Sequence, residues 1–225
     1  LQPQPDDVAL DVATGAGFTA FALAAHVRRV VAYDLTERML STARRLAAER
    51  RLVNLEYVSG LAEELPFASA SFDLLTCRVA GHHFHSVPRF LAEARRVLRP
   101  EGKLLIVDTV APDDPEAGVW QQTVEVLRDP SHVRDYSIRE WTAFCNQAGL
   151  VVIRLGSSRS GPHYLDEWTR RAGTPAQNVA ELRRWFAAAP PSARTAFQIS
   201  DTEGNPSFIW PVGVVLATTP DDPNP

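Results

Sequence analysis

Short apolar runs alternate with longer amphipathic segments along the first half of the chain. The runs predict strands at 8–13, 29–35, 55–60, 72–80 and 103–110. The first of them lacks alternation of apolar and polar residues, which is typical of a strand buried on both faces of a parallel sheet. The segments between the runs predict helices at 18–27, 37–50 and 86–98. This alternation indicates a parallel sheet with helices on both faces.

The second half of the chain predicts a less regular succession of elements. Ser137 and Glu140 form a capping-box pattern that begins a helix ending near Ala148. Other segments predict a helix within 113–130, a strand at 150–156, an all-helical insertion at 160–195, and a last strand at 208–219 paired in a hairpin with 195–200. The proline- and aspartate-rich tail at 220–225 is expected to be disordered.

Composition narrows the class of protein. The chain has 225 residues, which is enough to bury a core without disulfides or a metal. Its net charge of −4 argues against a nucleic-acid partner, which usually requires a basic surface. No apolar stretch predicts a membrane span and no signal peptide is recognisable, so a cytoplasmic location is expected. Cys77 and Cys145 lie far apart in apolar contexts and predict buried free thiols. The oligomeric state cannot be predicted from the sequence.

A glycine-rich turn joins the first predicted strand to the first predicted helix, in the segment DVATGAGFTA at 11–20. Gly15 and Gly17 allow the backbone to approach a ligand, and the start of the helix offers N–H groups to negative charge. Asp34 ends the second predicted strand, where a carboxylate can accept hydrogen bonds from both hydroxyls of a ribose. Each feature alone is compatible with a tight turn or a helix start, whereas together they predict a nucleotide-type cofactor.

The glycine pattern alone does not decide between two cofactors. GAGFTA matches the permissive form of the dinucleotide fingerprint, which would indicate NAD. Asp11 lies four residues before Gly15, where its carboxylate would repel a pyrophosphate and attract the α-ammonium group of S-adenosylmethionine. The predicted cofactor is therefore S-adenosylmethionine. An NAD(P)-dependent oxidoreductase and a non-catalytic protein that binds S-adenosylmethionine, or no ligand, stay as alternatives.

Four segments in succession resemble motifs of a known family: DVATGAG, VVAYDLTERML, GLAEELPFASASFDLLTCR and FLAEARRVLRPEGKLLIVD. The family is the class I S-adenosylmethionine-dependent methyltransferases, and the resemblance is to the subgroup named after ubiquinone/menaquinone biosynthesis, over about 8–156. It implies a Rossmann-like, doubly wound α/β fold with a seven-stranded, mostly parallel sheet, an antiparallel last strand and a helical insertion before that strand. It also implies a single methyltransferase domain at 1–225, with a cofactor-binding half at 8–110 and a substrate-side half at 111–225.

The resemblance also implies the residues that contact the cofactor. These are Asp11, Ala13, Thr14, Gly15, Gly17, Asp34, Leu35, Met39, Leu61, Ala62 and Glu63. Asp34 is expected to bind the ribose, with Leu35 and Met39 against the adenine. Leu61 replaces an aspartate that usually accepts from the adenine amino group, so the backbone N–H of Ala62 and the carboxylate of Glu63 are expected to serve there.

Candidate catalytic residues follow the fourth predicted strand, in the segment CRVAGHHFHS at 77–86. Ligands of parallel sheets lie beyond the carboxyl ends of the strands, so residues 78–83 should face the methyl group or the acceptor. Arg78 is assigned to the cofactor. His82 and His83 are assigned to catalysis because a histidine can take a proton from an acceptor atom near neutral pH. The alternative for each ring is packing or capping of the next helix, and a metal site is not expected because no carboxylate lies close in sequence.

Two further expectations concern the substrate side. His132, Arg134 and Tyr136 lie in the polar segment DPSHVRDYS and are candidate substrate contacts, with a capped helix start as the alternative. The acidic charge and the apolar helical insertion favour a small, partly apolar acceptor. Members of the family usually have helices before the first strand that close over the cofactor, and this chain begins only a few residues before Val8. The pocket is therefore expected to be open and the affinity for cofactor weak.

Overall fold

The chain folds into two compact units in a computed structural model that describes residues 1–202 and 204–221. The first unit comprises Leu1–Asp108, Arg139–Gly156 and Val214–Pro225, and the second comprises Thr109–Ile138 and Ser157–Gly213. Residues 222–225, which belong to the tail expected to be disordered, lie outside the described residues.

The strands form a mixed sheet. They are β1 Val8–Val12, β2 Arg29–Asp34, β3 Leu55–Ser59, β4 Phe72–Arg78, β5 Leu98–Thr109, β6 Val151–Tyr164, β7 Ser200–Thr202 and β8 Asn205–Thr218. Their order is β3-β2-β1-β4-β5-β8-β6, and β7 pairs with β8 in the antiparallel direction outside this path. The first five strands pair in parallel. The predicted Rossmann-like fold, with a mostly parallel sheet and antiparallel strands near the C-terminus, is confirmed.

The helices follow the predicted alternation in the first half of the chain. They are α1 Phe18–Ala24, α2 Glu37–Glu49, α3 Val87–Val97, α4 Pro115–Arg128, α5 Ile138–Gln147, α6 Leu165–Ala172, α7 Ala176–Ala187 and α8 Pro191–Ala196. None of these described helices combines the length and apolar character that a membrane crossing requires. In the first unit, α1 buries Ala20 and Leu23 against Ala9 of β1 and Val30 of β2.

The second unit has an aromatic core of its own. Trp120 of α4 stacks on Phe197, with ring centroids 5.5 Å apart. Phe186 of α7 and Trp168 of α6 pack against the same group of buried rings, together with Phe208 of β8. The helices of the insertion are therefore stabilised by the burial of their aromatic side chains in a shared core.

Two predicted boundaries in the second half are wrong. The insertion was placed at 160–195, but β6 continues to Tyr164 and the helices run from Leu165 to Ala196. A strand was predicted at 195–200, but the helix α8 occupies its first residues and only Ser200–Thr202 pairs with β8. Pro191 favours the helix because a proline at the first helical turn lacks only a donor that would be unpaired there.

The strand order places a switch point at the carboxyl end of β1. β1 pairs with β2 on one side and with β4 on the other, so the chain leaves β1 and β4 in opposite directions along the sheet. Open α/β sheets bind ligands in the crevice outside the strand ends at such a point. The loops after β1, β2 and β4 are therefore where a site is expected.

Candidate functional site

The turn after β1 uses left-handed backbone at three positions. Ala13 and Gly15 have φ of 54°, and Gly17 has φ of 91°. A Cβ on Gly17 would lie 2.6 Å from the ring of Phe21, so that position requires glycine for space as well as for conformation. A Cβ on Gly15 would meet no atom within 4 Å, so the backbone at Gly15 faces open space. The turn thus exposes main chain to a ligand at one glycine and packs tightly at the other.

Asp11 is buried beneath this turn and holds it in place. Only 1% of the surface of Asp11 is exposed. One carboxylate oxygen accepts from the hydroxyl of Thr76 at 2.6 Å, and the other accepts from the hydroxyl of Thr14 at 2.6 Å and from the backbone N–H of Ala20 at 3.1 Å. These bonds join the turn, the helix α1 and the neighbouring strand β4. They show a positioning role for Asp11, while the contact with a ligand ammonium stays a prediction.

Burial raises the pKa of the Asp11 carboxyl to about 6. The hydrogen bonds from Thr14, Thr76 and Ala20 and the charge of Arg78 lower the pKa, but their effect is smaller than that of burial. Because the folded carboxyl takes up its proton at a higher pH than the unfolded one, protonation stabilises the fold between about pH 6 and pH 4.

We expect this titration to be visible in the pH dependence of stability. Relative to Asp11→Asn, the free energy of unfolding of the wild-type protein should rise as the pH falls from about 6 to about 4, by at most about 3 kcal/mol for a shift of two pKa units. Urea unfolding of both proteins across this range measures the difference. A difference that does not change with pH would contradict the assignment.

Asp34 lies at the carboxyl end of β2, next to the turn. Its Oδ2 accepts from the backbone N–H of Gly15 at 2.8 Å, and its Oδ1 accepts from the N–H and the hydroxyl of Thr36 at 2.9 and 2.7 Å. The structure thus brings together the predicted ribose acid and the predicted glycine turn. Leu35 and Met39 follow with 65% and 37% of their surface exposed, so apolar surface is accessible beside the end of β2.

The segment after β3 continues the same edge of the sheet. Ser59 pairs with Asp34 across the strands, and the N–H of Gly60 donates to the carbonyl of Asp34 at 3.1 Å. Leu61 is 43% exposed, and its carbonyl accepts from the hydroxyl of Tyr33 at 2.9 Å. Ala62 is buried. Glu63 accepts from the backbone N–H of Ser86 at 3.2 Å, so its carboxylate anchors the start of α3. Its contact with an adenine stays a prediction.

The chain turns sharply after β4. Arg78 is exposed and donates from Nε to the hydroxyl of Thr19 at 3.0 Å, so it lies over the start of α1. Val79 has φ of 54°, a left-handed conformation that is strained for a β-branched residue. A single 3-10 turn at Gly81–His83 follows and carries both predicted catalytic histidines.

His82 forms a close pair with an aspartate of the neighbouring strand. Its Nδ1 lies 2.6 Å from Oδ1 of Asp108, and its backbone N–H donates to Oδ2 of the same residue at 3.1 Å. Asp108 was not among the predicted site residues. It ends the apolar run of β5 as Asp34 ends that of β2, and this shared position was the signal that could have identified it. The centroids of the His82 and His83 rings lie 4.2 Å apart.

The three candidate substrate residues lie in the second unit. His132 and Tyr136 are buried, and Arg134 is exposed. Nε2 of His132 lies 3.2 Å from Oε1 of Gln122, and Tyr136 forms a bridge to Val110. The guanidinium of Arg134 lies 4.9 Å from the centre of the Tyr136 ring. These contacts hold the segment in place, and its role in substrate binding stays a prediction. Both cysteines are buried and free, as the sequence predicted.

Comparison with known proteins gives a consistent result. A family model described as a methyltransferase domain matches residues 10–106. The chain is 38% identical over 193 residues to the uncharacterized methyltransferase YcgJ of Bacillus subtilis, covering 85% of this chain and 75% of that protein. The crystal structure of YcgJ superposes with a TM-score of 0.91 at 33% identity, covering 98% of this chain and 95% of that chain.

Two other relatives extend the comparison. The uncharacterized protein YafE of Escherichia coli is 38% identical over 185 residues, covering 82% of this chain and 89% of that protein. The ubiquinone/menaquinone biosynthesis C-methyltransferase UbiE of Paracoccus denitrificans is 41% identical over 111 residues, covering 48% of this chain and 44% of that protein. The similarity to UbiE-type proteins thus concerns about half of the chain.

Proposed function

Because this chain belongs to the class I S-adenosylmethionine-dependent methyltransferase family, we propose that it transfers a methyl group from that cofactor to a small, partly apolar molecule. The observation that carries the proposal is the pairing of Asp34 with Gly15 at the carboxyl ends of β2 and β1. The C-methyltransferase name of the UbiE relative, which refers to ubiquinone and menaquinone biosynthesis, supports a small acceptor.

The residues at this edge of the sheet fit the cofactor. The open space at Gly15 leaves room for a ligand against the main chain, and Asp34 can exchange its present donors for ribose hydroxyls. Leu35, Met39 and Leu61 offer apolar surface suited to an adenine. When bound, S-adenosylmethionine would supply an electrophilic methyl group on a positively charged sulfur, and that sulfur would keep the electron pair of the broken methyl–sulfur bond and leave as a neutral thioether.

We assign the reaction with the acceptor to His82, because its ring is paired with the carboxylate of Asp108. An acceptor hydroxyl or acidic C–H must lose its proton as the new bond to carbon forms, and the electron pair left behind makes that bond. The proton goes to the imidazole of His82, and the negative charge of Asp108 stabilises the resulting imidazolium. His83 lies beside this ring and contributes to the surface that holds the acceptor.

Methyl transfer can be tested with S-adenosylmethionine labelled in its methyl group. The enzyme is incubated with a small-molecule extract that passes an ultrafilter, and in parallel with protein and RNA fractions. Label should appear in the small-molecule products. His82→Gln should lower the rate by on the order of 10²–10⁴, the usual contribution of general base catalysis, without loss of cofactor binding.

The controls separate the competing accounts. Joint replacement of His82 and His83 that left turnover unchanged would contradict their catalytic role. Label confined to the protein or RNA fraction would contradict the small acceptor. Binding of S-adenosylmethionine with no transfer to any fraction would favour the non-catalytic alternative.

A further inference from the structure

We propose that Asp108 is a positioning residue that fixes the tautomer of His82, with the proton on Nδ1 and Nε2 as the nitrogen that receives the proton of the acceptor. The inference rests on the proposed methyl transfer for its catalytic consequence. Its structural part, the protonation of Nδ1, can be measured without any substrate or cofactor.

Asp108 contacts His82 at two points. Oδ1 lies 2.6 Å from the ring Nδ1, and Oδ2 accepts from the backbone N–H at 3.1 Å. An ionised carboxylate only accepts hydrogen bonds, so the ring nitrogen that faces it must carry the proton. The backbone bond holds the 3-10 turn at the same time, which leaves the ring little freedom to rotate away. Asp108 is 2% exposed, so water competes weakly for these bonds.

The surrounding chain is shaped to allow this close approach. A Cβ on Gly81 would lie 2.9 Å from Oδ2 of Asp108 and 2.7 Å from the ring of Trp141, so only glycine lets both residues pack against the turn. The strained Val79 begins the turn, and its N–H donates to the carbonyl of Val107 at 2.7 Å. Backbone strain of about 1–3 kcal/mol persists only where the surroundings impose it. The turn that carries His82 is therefore fixed by the packing at Gly81 and by the hydrogen bond from Val79 to Val107.

A purely structural role for Asp108 makes a different prediction. The carboxylate would then serve to cap the turn, and asparagine, which has the same shape and one acceptor oxygen, would replace it with little consequence for the ring. If Asp108 fixes the tautomer, the single oxygen of an asparagine accepts from the backbone N–H of His82, and its amide N–H therefore faces Nδ1. Nδ1 then becomes a hydrogen-bond acceptor. The proton then moves to Nε2, and the ring can no longer accept a proton there.

Nitrogen-15 NMR of the histidine rings distinguishes the two roles. Six histidines are present, and His82→Gln identifies the resonances of His82. In the wild-type protein near neutral pH, His82 should show the Nδ1–H tautomer, and Asp108→Asn should convert it to the Nε2–H tautomer. An Nε2–H tautomer in the wild-type protein, or an unchanged spectrum in the variant, would overturn the proposal. The wild-type spectrum alone is decisive if the variant does not fold.

Turnover provides the second readout. Asp108→Asn should lower kcat by up to on the order of 10⁴, as a wrong tautomer does in other catalytic histidine–carboxylate pairs, while the Kd for S-adenosylmethionine changes less than about twofold. Asp73→Asn is the matched control, because Asp73 also accepts a backbone N–H, that of Val8 at 2.8 Å, and lies away from the turn. A protein with the expected tautomers that transfers no methyl group would contradict the proposed function and leave the role of Asp108 in place.

Discussion

Asp34→Ala is expected to weaken the binding of S-adenosylmethionine by on the order of 10²- to 10⁴-fold. A carboxylate that accepts from both ribose hydroxyls makes two charge-assisted hydrogen bonds, each contributing about 1.5–3 kcal/mol, and both are lost. The variant also loses the bond from the N–H of Gly15, so the turn after β1 becomes less well ordered before the ligand arrives. Isothermal titration calorimetry measures the change in Kd.

The control for this effect is a carboxylate of the same unit with a similar structural role. Asp73 pairs with Arg99 at 2.6 Å, away from the turn. Asp73→Ala should lower stability and leave the Kd unchanged. If the wild-type protein and Asp34→Ala bind S-adenosylmethionine with equal affinity at temperatures where both are folded, the assignment of Asp34 to the cofactor site is wrong.

Gly17→Ala is expected to affect mainly stability, and Gly15→Ala mainly the binding of the cofactor. At Gly17 the added methyl group would lie 2.6 Å from the Phe21 ring in a left-handed conformation, so overpacking and strain together should lower the free energy of unfolding by about 3 kcal/mol. At Gly15 the methyl group enters open space, and only the conformational strain of about 1 kcal/mol remains. Because that space is where we place the cofactor, Gly15→Ala should nevertheless weaken binding more than its small loss of stability implies.

Urea unfolding and calorimetric titration of both variants check this pair of predictions. Gly17→Ala should show the lower midpoint of unfolding and Gly15→Ala the larger rise in Kd per unit of stability lost. Similar stability losses in the two variants would contradict the packing argument. An unchanged Kd in Gly15→Ala would place the ligand elsewhere.

The fold of the first half could be predicted because its information is local. Apolar runs and amphipathic segments specify β1 to β4 and α1 to α3 within about three residues. The start of β5 at Leu98, five residues before the predicted start, could not be predicted because Leu98 pairs with Phe72 of β4. The extension of β6 to Tyr164 could not be predicted, because its second part, SSRSGPHY, has no apolar alternation and forms a strand only with partners distant in sequence. The misplaced strand at 195–200 has the same origin, since the short β7 depends on its pairing with β8.

The candidate site was predictable as a set of residues and much less so as a set of contacts. Gly15 and Asp34 were expected to share a ligand, and the structure places them in direct contact. The bond between Asp11 and Thr76 joins residues 65 positions apart, and the pair of His82 and Asp108 joins residues 26 apart. No local pattern encodes either pairing, because each depends on how parallel strands align their carboxyl ends.

Calorimetric titration of the wild-type protein with S-adenosylmethionine and, separately, with NAD tests the central claim most directly. The glycine turn, Asp34 and the exposed Leu35 and Met39 predict saturable one-to-one binding of S-adenosylmethionine and of its demethylated product, with no saturable heat from NAD. Saturable binding of NAD, or a folded protein that gives no binding heat with S-adenosylmethionine at any temperature tested, would contradict the account.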